Sequence, residues 1–192
     1  KLAVTVGSPD ELAELLPLAL ATAVSGRPGP TWLDIPLDVQ AVECPALPAM
    51  HLPDPVPPVD LAERCADVAQ RLSQAHRPLI MAGTGVRLAQ AEHLLLAFSE
   101  KHGTRAGNFC LQAADCVVVI GSRLNIRQVS YNWDCFAKNA YIVQVDIDPA
   151  ELNKPFVQAA LPLVCDAKHF IEGLDQVCDD GLPNYAQWVS WC

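Results

Sequence analysis

Cys116-Val117-Val118-Val119-Ile120, closed by Gly121-Ser122-Arg123, is the stretch whose reading decides the fold. Its five apolar residues, four of them β-branched, offer no polar face to water, so a strand here must be covered on both sides. Sheets buried in that way are parallel sheets with helices on both faces. Tyr141-Ile142-Val143-Gln144-Val145 repeats the composition downstream, and Leu161 to Val164 is a shorter version that leads to Asp166 and a helix reaching about Leu174. Upstream, a helix from Val59 to about Gln74 precedes the apolar run Pro78-Leu79-Ile80-Met81-Ala82. A Gly83-Thr84-Gly85 turn then opens a helix from Val86 to about Lys101. Strands alternating with helices predict an α/β, Rossmann-like parallel sheet with helices on both faces.

The first forty residues follow a different plan. Ser8-Pro9-Asp10-Glu11 supplies a hydroxyl cap, a proline at the first helical position and acids in the first turn. Leu12, Leu15, Leu16, Ala19, Leu20 and Ala23 keep a helical period as far as Gly26, with Pro17 expected as a kink or a late start. Arg27-Pro28-Gly29-Pro30 is a turn, and Thr31-Trp32-Leu33-Asp34-Ile35-Pro36 a short strand that the proline ends. No preceding strand is read here, so residues 1–40 are expected to be the tail of another domain. Prolines at 45, 48, 53, 55, 57 and 58 make residues 41–60 an extended inter-domain linker. Residues 61–175 form the Rossmann-like domain, and 176–192 are expected to begin a further linker.

Composition removes several functions. With 51% hydrophobic and 18% charged residues and a mean hydropathy of +0.19, the chain has ample material for a core. A net charge of −9 without a basic run argues against nucleic acid, which is bound through Lys and Arg on phosphates. The apolar stretches fall short of the ~20 residues that cross a bilayer, and no signal peptide opens the sequence, so a soluble, cytoplasmic chain with no membrane partner is expected. Eight cysteines occur without a CxxC pair or histidines at metal spacing, so no metal ligand is assigned and the thiols are read as structural. The five histidines are dispersed, and Asp34 and Asp38 are too isolated for a carboxylate pair, so no catalytic residue is assigned either.

Binding residues are sought where strands end, because open parallel sheets take ligands beyond the carboxyl ends of their strands. At the first end, Gly83 and Gly85 either admit a phosphate to backbone N–H groups or simply build a tight turn. A third glycine is lacking, so the spacing leaves both readings open. At the second, Gly121 is followed by Arg123 and Arg127, which would share one face if the segment is helical and grip a diphosphate together. The competing reading gives those arginines Asp115 or Asp134 as partners. At the third, Asp146 and Ile147 precede Asp148-Pro149, where a carboxylate accepts ribose hydroxyls or caps the next helix. Asp166 completes the set after the last strand.

These segments, in this order, resemble the acetolactate synthase group of thiamine-diphosphate-dependent enzymes. Gly26-Arg27-Pro28-Gly29-Pro30-Thr31-Trp32-Leu33-Asp34-Ile35-Pro36-Leu37-Asp38-Val39 is similar to the end of that family's pyrimidine-binding domain. Arg77-Pro78 to Val86, Ala114-Asp115 to Arg123, and Val145-Asp146-Ile147-Asp148-Pro149-Ala150-Glu151 are similar to successive strands of its central domain. The resemblance implies a parent subunit that uses thiamine diphosphate and Mg2+ on a 2-oxo acid, as a transferase or lyase, with both cofactor sites outside this sequence. It implies a homodimer or homotetramer. It also implies FAD or ADP at the central domain, with Gly83, Gly85, Gly121, Arg123, Arg127, Asp146, Ile147 and Asp166 as the binding residues.

Two departures stand out. FAD-binding relatives carry two acids after the first arginine, where this sequence has Leu124-Asn125-Ile126. Glu100-Lys101-His102-Gly103 runs almost directly into Thr104-Arg105-Ala106-Gly107, where relatives insert a strand and a long loop, so a segment near 103–105 is expected to be missing. The alternative functions are a non-catalytic FAD- or ADP-binding module and a structural spacer.

Overall fold

A computed structural model describes residues 1–48, 54–102, 108–178 and 181–192. The chain divides into two compact units, residues 1–56 and 57–192. The expected discontinuity near 103–105 lies outside the described residues.

In the first unit, β1 (Leu2–Thr5) is followed by α1 (Pro9–Val24), β2 (Thr31–Asp34) and α2 (Leu37–Gln40). Helix α1 starts where its cap dictates: the Ser8 hydroxyl accepts from the Glu11 N–H at 3.1 Å, and Pro9 takes the first helical position. Pro17 neither delays nor ends it. The sequence reading gave β2 no preceding strand, and the structure corrects that. Leu2–Thr5 pairs with Thr31–Asp34 in parallel, the α1 crossover lying between them. Four residues are too short a run for periodicity to expose, even with Gly7-Ser8-Pro9 following them.

The second unit contains α3 (Leu61–Gln74), β3 (Pro78–Ala82), α4 (Thr84–Leu88), α5 (Glu92–His102), α6 (Asn108–Ala113), β4 (Cys116–Ile120), α7 (Ile126–Val129), β5 (Tyr141–Asp146), α8 (Pro149–Leu152), β6 (Leu161–Val164), α9 (Ala167–Val177) and α10 (Ala186–Trp191). The helix expected from Val86 to Lys101 is two helices, separated at Ala89–Ala91, where Gln90 turns to φ +55°. The four strands form one all-parallel sheet in the order β3-β4-β5-β6.

Alternation along each strand feeds two cores. Cys116, Val118, Ile120, Val143, Val145 and Leu163 meet α3 and α9 through Val68, Leu72, Phe170 and Leu174. Val117, Val119 and Ile142 face the opposite way, toward Leu124, Val129 and Phe136. The pattern that marked β4 as covered on both sides is thus realised, every residue in it being buried.

Strand β3 is one of the two edge strands, with β6 at the other edge, and is only half-buried, although it is as apolar as β4. Its inner side bonds β4, with Asp115 N–H donating to the Arg77 carbonyl and Gly83 N–H to the Ile120 carbonyl. At its start, the Trp188 indole N–H donates to the Pro78 carbonyl at 2.9 Å. The Tyr185 hydroxyl donates likewise to Leu72 at the end of α3. Within the stretch 176–192 expected to begin a linker, Tyr185 and Trp188 thus pack on this unit.

Candidate functional site

Because the sheet is parallel, the carboxyl ends of its strands lie on one edge, and the loops leaving them carry all eight residues singled out from sequence. Gly83, Gly85 and Gly121 are brought together. A Cβ on Gly83 would lie 2.3 Å from the Gly121 carbonyl oxygen, and one on Gly121 would lie 2.7 Å from the Gly85 Cα. The close approach these glycines permit is to one another. Gly83 N–H donates to the Ile120 carbonyl at 2.8 Å and Gly85 N–H to the Gly121 carbonyl at 2.9 Å. Both N–H groups that a phosphate would need are thus already spent, and the structure favours the tight turn.

Arg123 and Arg127 do not share a helical face. Residues 122–125 are irregular, Leu124 sits at φ +46°, and α7 begins only at Ile126 under an Asn125 cap. Four residues apart in sequence, the two arginines therefore lack the helical geometry that would align them. Arg127 is exposed. Neither arginine takes the expected acids: Asp115 instead accepts from the His76 and Arg77 N–H groups, both at 2.9 Å. Arg123 donates through Nε to Glu151 Oε1 at 2.8 Å. The other oxygen, Oε2, pairs with the Lys154 ammonium, which also donates to the Arg123 carbonyl at 3.1 Å.

Glu151 was quoted in the sequence only as part of the 145–151 stretch, and Lys154 not at all. Burial is the signal that distinguishes the glutamate, whose side chain is 5% exposed against 57% for Arg123. A carboxylate taken that far from water requires cationic partners. Glu151 occupies the third position of α8, behind the Asp148 cap, from which a glutamate ordinarily reaches back to the cap N–H. Here Asp146 Oδ1 accepts that N–H at 2.9 Å, and the glutamate is directed to the cations.

Asp146 is itself buried at the end of β5, Ile147 is half-buried, and Asp148 caps α8 by accepting from Ala150 N–H at 2.9 Å. Asp166 caps α9, accepting from Lys168 N–H at 2.8 Å. Cys165 N–H donates to the Asp146 carbonyl at 3.1 Å, which sets the Asp166 turn beside the end of β5. A buried polar chain underlies the β4 loop: Gln144 Nε2 donates to the Ser122 carbonyl at 3.4 Å, and the Ser122 hydroxyl to Gln128 Oε1 at 3.0 Å. It fixes the backbone that carries Arg123. Gln144, polar within the otherwise apolar run 142–145, was its trace in the sequence.

Five of the eight thiols are placed as structural groups, while Cys44, Cys135 and Cys192 are exposed. Cys65, Cys110, Cys116, Cys165 and Cys178 are buried, and burial pushes Cys65 and Cys116 up to about 11 and Cys165 up to about 12, away from the thiolate that reacts. Among the described residues no group of three His, Cys, Asp or Glu side chains is placed to hold a metal, and no helix is long and apolar enough to cross a membrane.

The edge thus carries one exposed arginine held by a buried glutamate, beside carboxylates engaged with backbone N–H groups. Residues 100–174 match the family model described as thiamine pyrophosphate enzyme, central domain. The chain is thus similar to thiamine-pyrophosphate-dependent enzymes of the acetolactate synthase-like group. It is 32% identical over 203 residues to a probable acetolactate synthase large subunit of Methanocaldococcus jannaschii, covering 88% of this chain and 34% of that protein. With the acetolactate synthase large subunit of Corynebacterium glutamicum it shares 32% identity over 220 residues, covering 97% of this chain and 35% of the relative. A glyoxylate carboligase of Escherichia coli O157:H7 is 30% identical over 227 residues, covering 100% and 38%. The chain thus spans about a third of the length of these curated relatives. An alignment of 227 positions that takes in all 192 residues leaves about 35 positions without a counterpart in this chain. The fold also matches the crystal structure of benzoylformate decarboxylase from Polynucleobacter necessarius, with a TM-score of 0.78 at 20% identity, over 98% of this chain and 40% of that one.

Proposed function

We propose that the chain is the central domain, with flanking segments, of a thiamine-diphosphate-dependent 2-oxo acid decarboxylase or carboligase resembling acetolactate synthase. The observation that carries this reading is the match of residues 100–174 to the family's central-domain model, set within identity to acetolactate synthases along nearly the whole chain. In the parent subunit, thiamine diphosphate with Mg2+ supplies the chemistry at carbon. No described residue of this chain is assigned to either group. Residues 1–40 are the tail of the pyrimidine-binding domain, 41–60 the linker, and 61–175 the central domain, with the approach to a pyrophosphate-binding domain after them. The parent subunit is cytoplasmic and a homodimer or homotetramer.

The contribution of this chain is a scaffold and a nucleotide site at the carboxyl edge of its sheet, for ADP or FAD. Arg123 fits the phosphates and Asp146 a ribose hydroxyl, with Ile147 and Asp166 beside them. The spent N–H groups of Gly83 and Gly85 move the phosphates away from that turn and toward Arg123. We place the relatives' additional residues between α5 and α6, where a further strand would join the outer side of β3.

The test is activity with and without the rest of the subunit. Residues 1–192 should release no carbon dioxide from pyruvate with thiamine diphosphate and Mg2+, while the product of the complete reading frame should. A complete frame that encodes no further domain, or whose product is inert on every 2-oxo acid tried, defeats the proposal.

A further inference from the structure

Two cations from different loops share one buried carboxylate at the carboxyl edge of the sheet. Arg123 leaves the end of β4 and Lys154 follows α8, yet both are held by Glu151, each on its own oxygen. Lys154 is tied a second time, to the Arg123 carbonyl. The carboxylate cancels one charge of the two, so these three side chains together carry +1, with the carboxylates of Asp146, Asp148 and Asp166 elsewhere on the same edge. The contact to Glu151 uses only Nε of the guanidinium, and the Arg123 side chain is 57% exposed. Its two Nη groups have no partner among the described residues. An arginine clamped at Nε presents its outer fork without losing rotamer freedom when a ligand arrives, which is the geometry that suits a phosphate.

We propose that Lys154 is the second phosphate-binding cation of this site and that Glu151 is a positioning residue, holding Arg123 and Lys154 side by side for a diphosphate. The inference rests on the nucleotide reading above and adds to it two residues and a ligand charge. Glu151 touches no ligand. It works by fixing two flexible side chains that would otherwise repel each other. A purely structural ion triad would account for the burial of Glu151 equally well, but it would leave ligand affinity indifferent to Lys154.

Titration calorimetry of residues 1–192 with inorganic pyrophosphate and with ADP, in low salt and without metal, tests this. The wild-type chain should bind both. Lys154→Met should weaken both by about tenfold or more, the loss of one charge-assisted contact, with the thermal midpoint recorded by circular dichroism to confirm folding. Glu151→Gln is the discriminating variant, because it raises the local positive charge by one. Long-range attraction alone predicts tighter binding, whereas a positioning role predicts weaker binding, and Arg123→Lys should not restore it. Tighter binding by Glu151→Gln, or unchanged binding by Lys154→Met, overturns the proposal. ADP binding that ignores all three substitutions would leave the nucleotide reading standing without this one. Pyrophosphate binding that depends on Lys154 while ADP fails to bind would do the reverse.

Discussion

Gly85 and Gly121 meet backbone to backbone, so closely that a Cβ built on Gly85 would fall 2.6 Å from the Gly121 Cα. Neither backbone can yield without moving the strand it follows. Gly85→Ala should cost about 2–3 kcal/mol by overpacking, and Gly121→Ala more, because its φ of +58° adds left-handed strain. Gly26 shares a positive φ, +54°, but nothing lies within 4 Å of a Cβ there. Its alanine variant should lose only about 1 kcal/mol. Urea unfolding of the three variants checks the order, and equal losses would show that packing is not the reason for the pair at 85 and 121.

Phe170 is fully buried between α3, α9 and the sheet. Phe170→Ala should destabilise the second unit by about 3–5 kcal/mol, the sum of lost transfer energy and a cavity. Phe170→Leu should cost clearly less. Chemical denaturation followed by circular dichroism reads both, and a loss below 1 kcal/mol for alanine would contradict the packing described.

Asp166 was singled out as a ligand contact and is found as the cap of α9. Asp166→Ala should cost about 1 kcal/mol, and Asp166→Ser nearly nothing, because a hydroxyl also accepts the Lys168 N–H. A tenfold fall in ADP affinity with Asp166→Ser, at unchanged stability, would assign the carboxylate to the ligand as well as to the helix.

Alkaline pH should unfold this protein. Burial raises Cys65 and Cys116 from 9.0 to about 11, Cys165 from 9.0 to about 12, and Tyr185 from 10.0 to about 12. Below pH 9 the thiols are protonated in both states and the stability is intact. Between pH 9 and about 12 the unfolded chain releases protons that the folded one retains, so stability falls as pH rises. The urea midpoint should hold from pH 7 to 8.5 and drop by pH 10.5, and Cys165→Ala should flatten that drop. A midpoint that stays level to pH 10.5 would refute the assignment.

The sheet was legible because its strands are apolar throughout. Cys116–Ile120 admits no other reading, and β3 and β6 were placed to the residue. Leu2–Thr5 was missed because four residues carry no period, and the break at Gln90 because a positive φ on a non-glycine residue leaves no mark in the sequence. Within the candidate site, strand ends could be located but partners could not. Gly83 and Gly121 are 38 residues apart, and the N–H groups of Gly83 and Gly85 lie 37 and 36 residues from the carbonyls of Ile120 and Gly121 that take them. Glu151 drew no reading of its own in the sequence, because only its burial sets it apart. The two arginines were paired on an assumed helix that Leu124 interrupts.

Trp188 and Tyr185 reach back more than a hundred residues to the carbonyls of Pro78 and Leu72. A ribosome delivers α3 and β3 first in this unit and these two aromatic side chains more than a hundred residues later. For that whole interval the foot of the first strand of this sheet stays uncapped in the nascent chain. The foot of β3 is therefore closed only once α10 has been made, and a stall or cleavage before residue 185 leaves it open there.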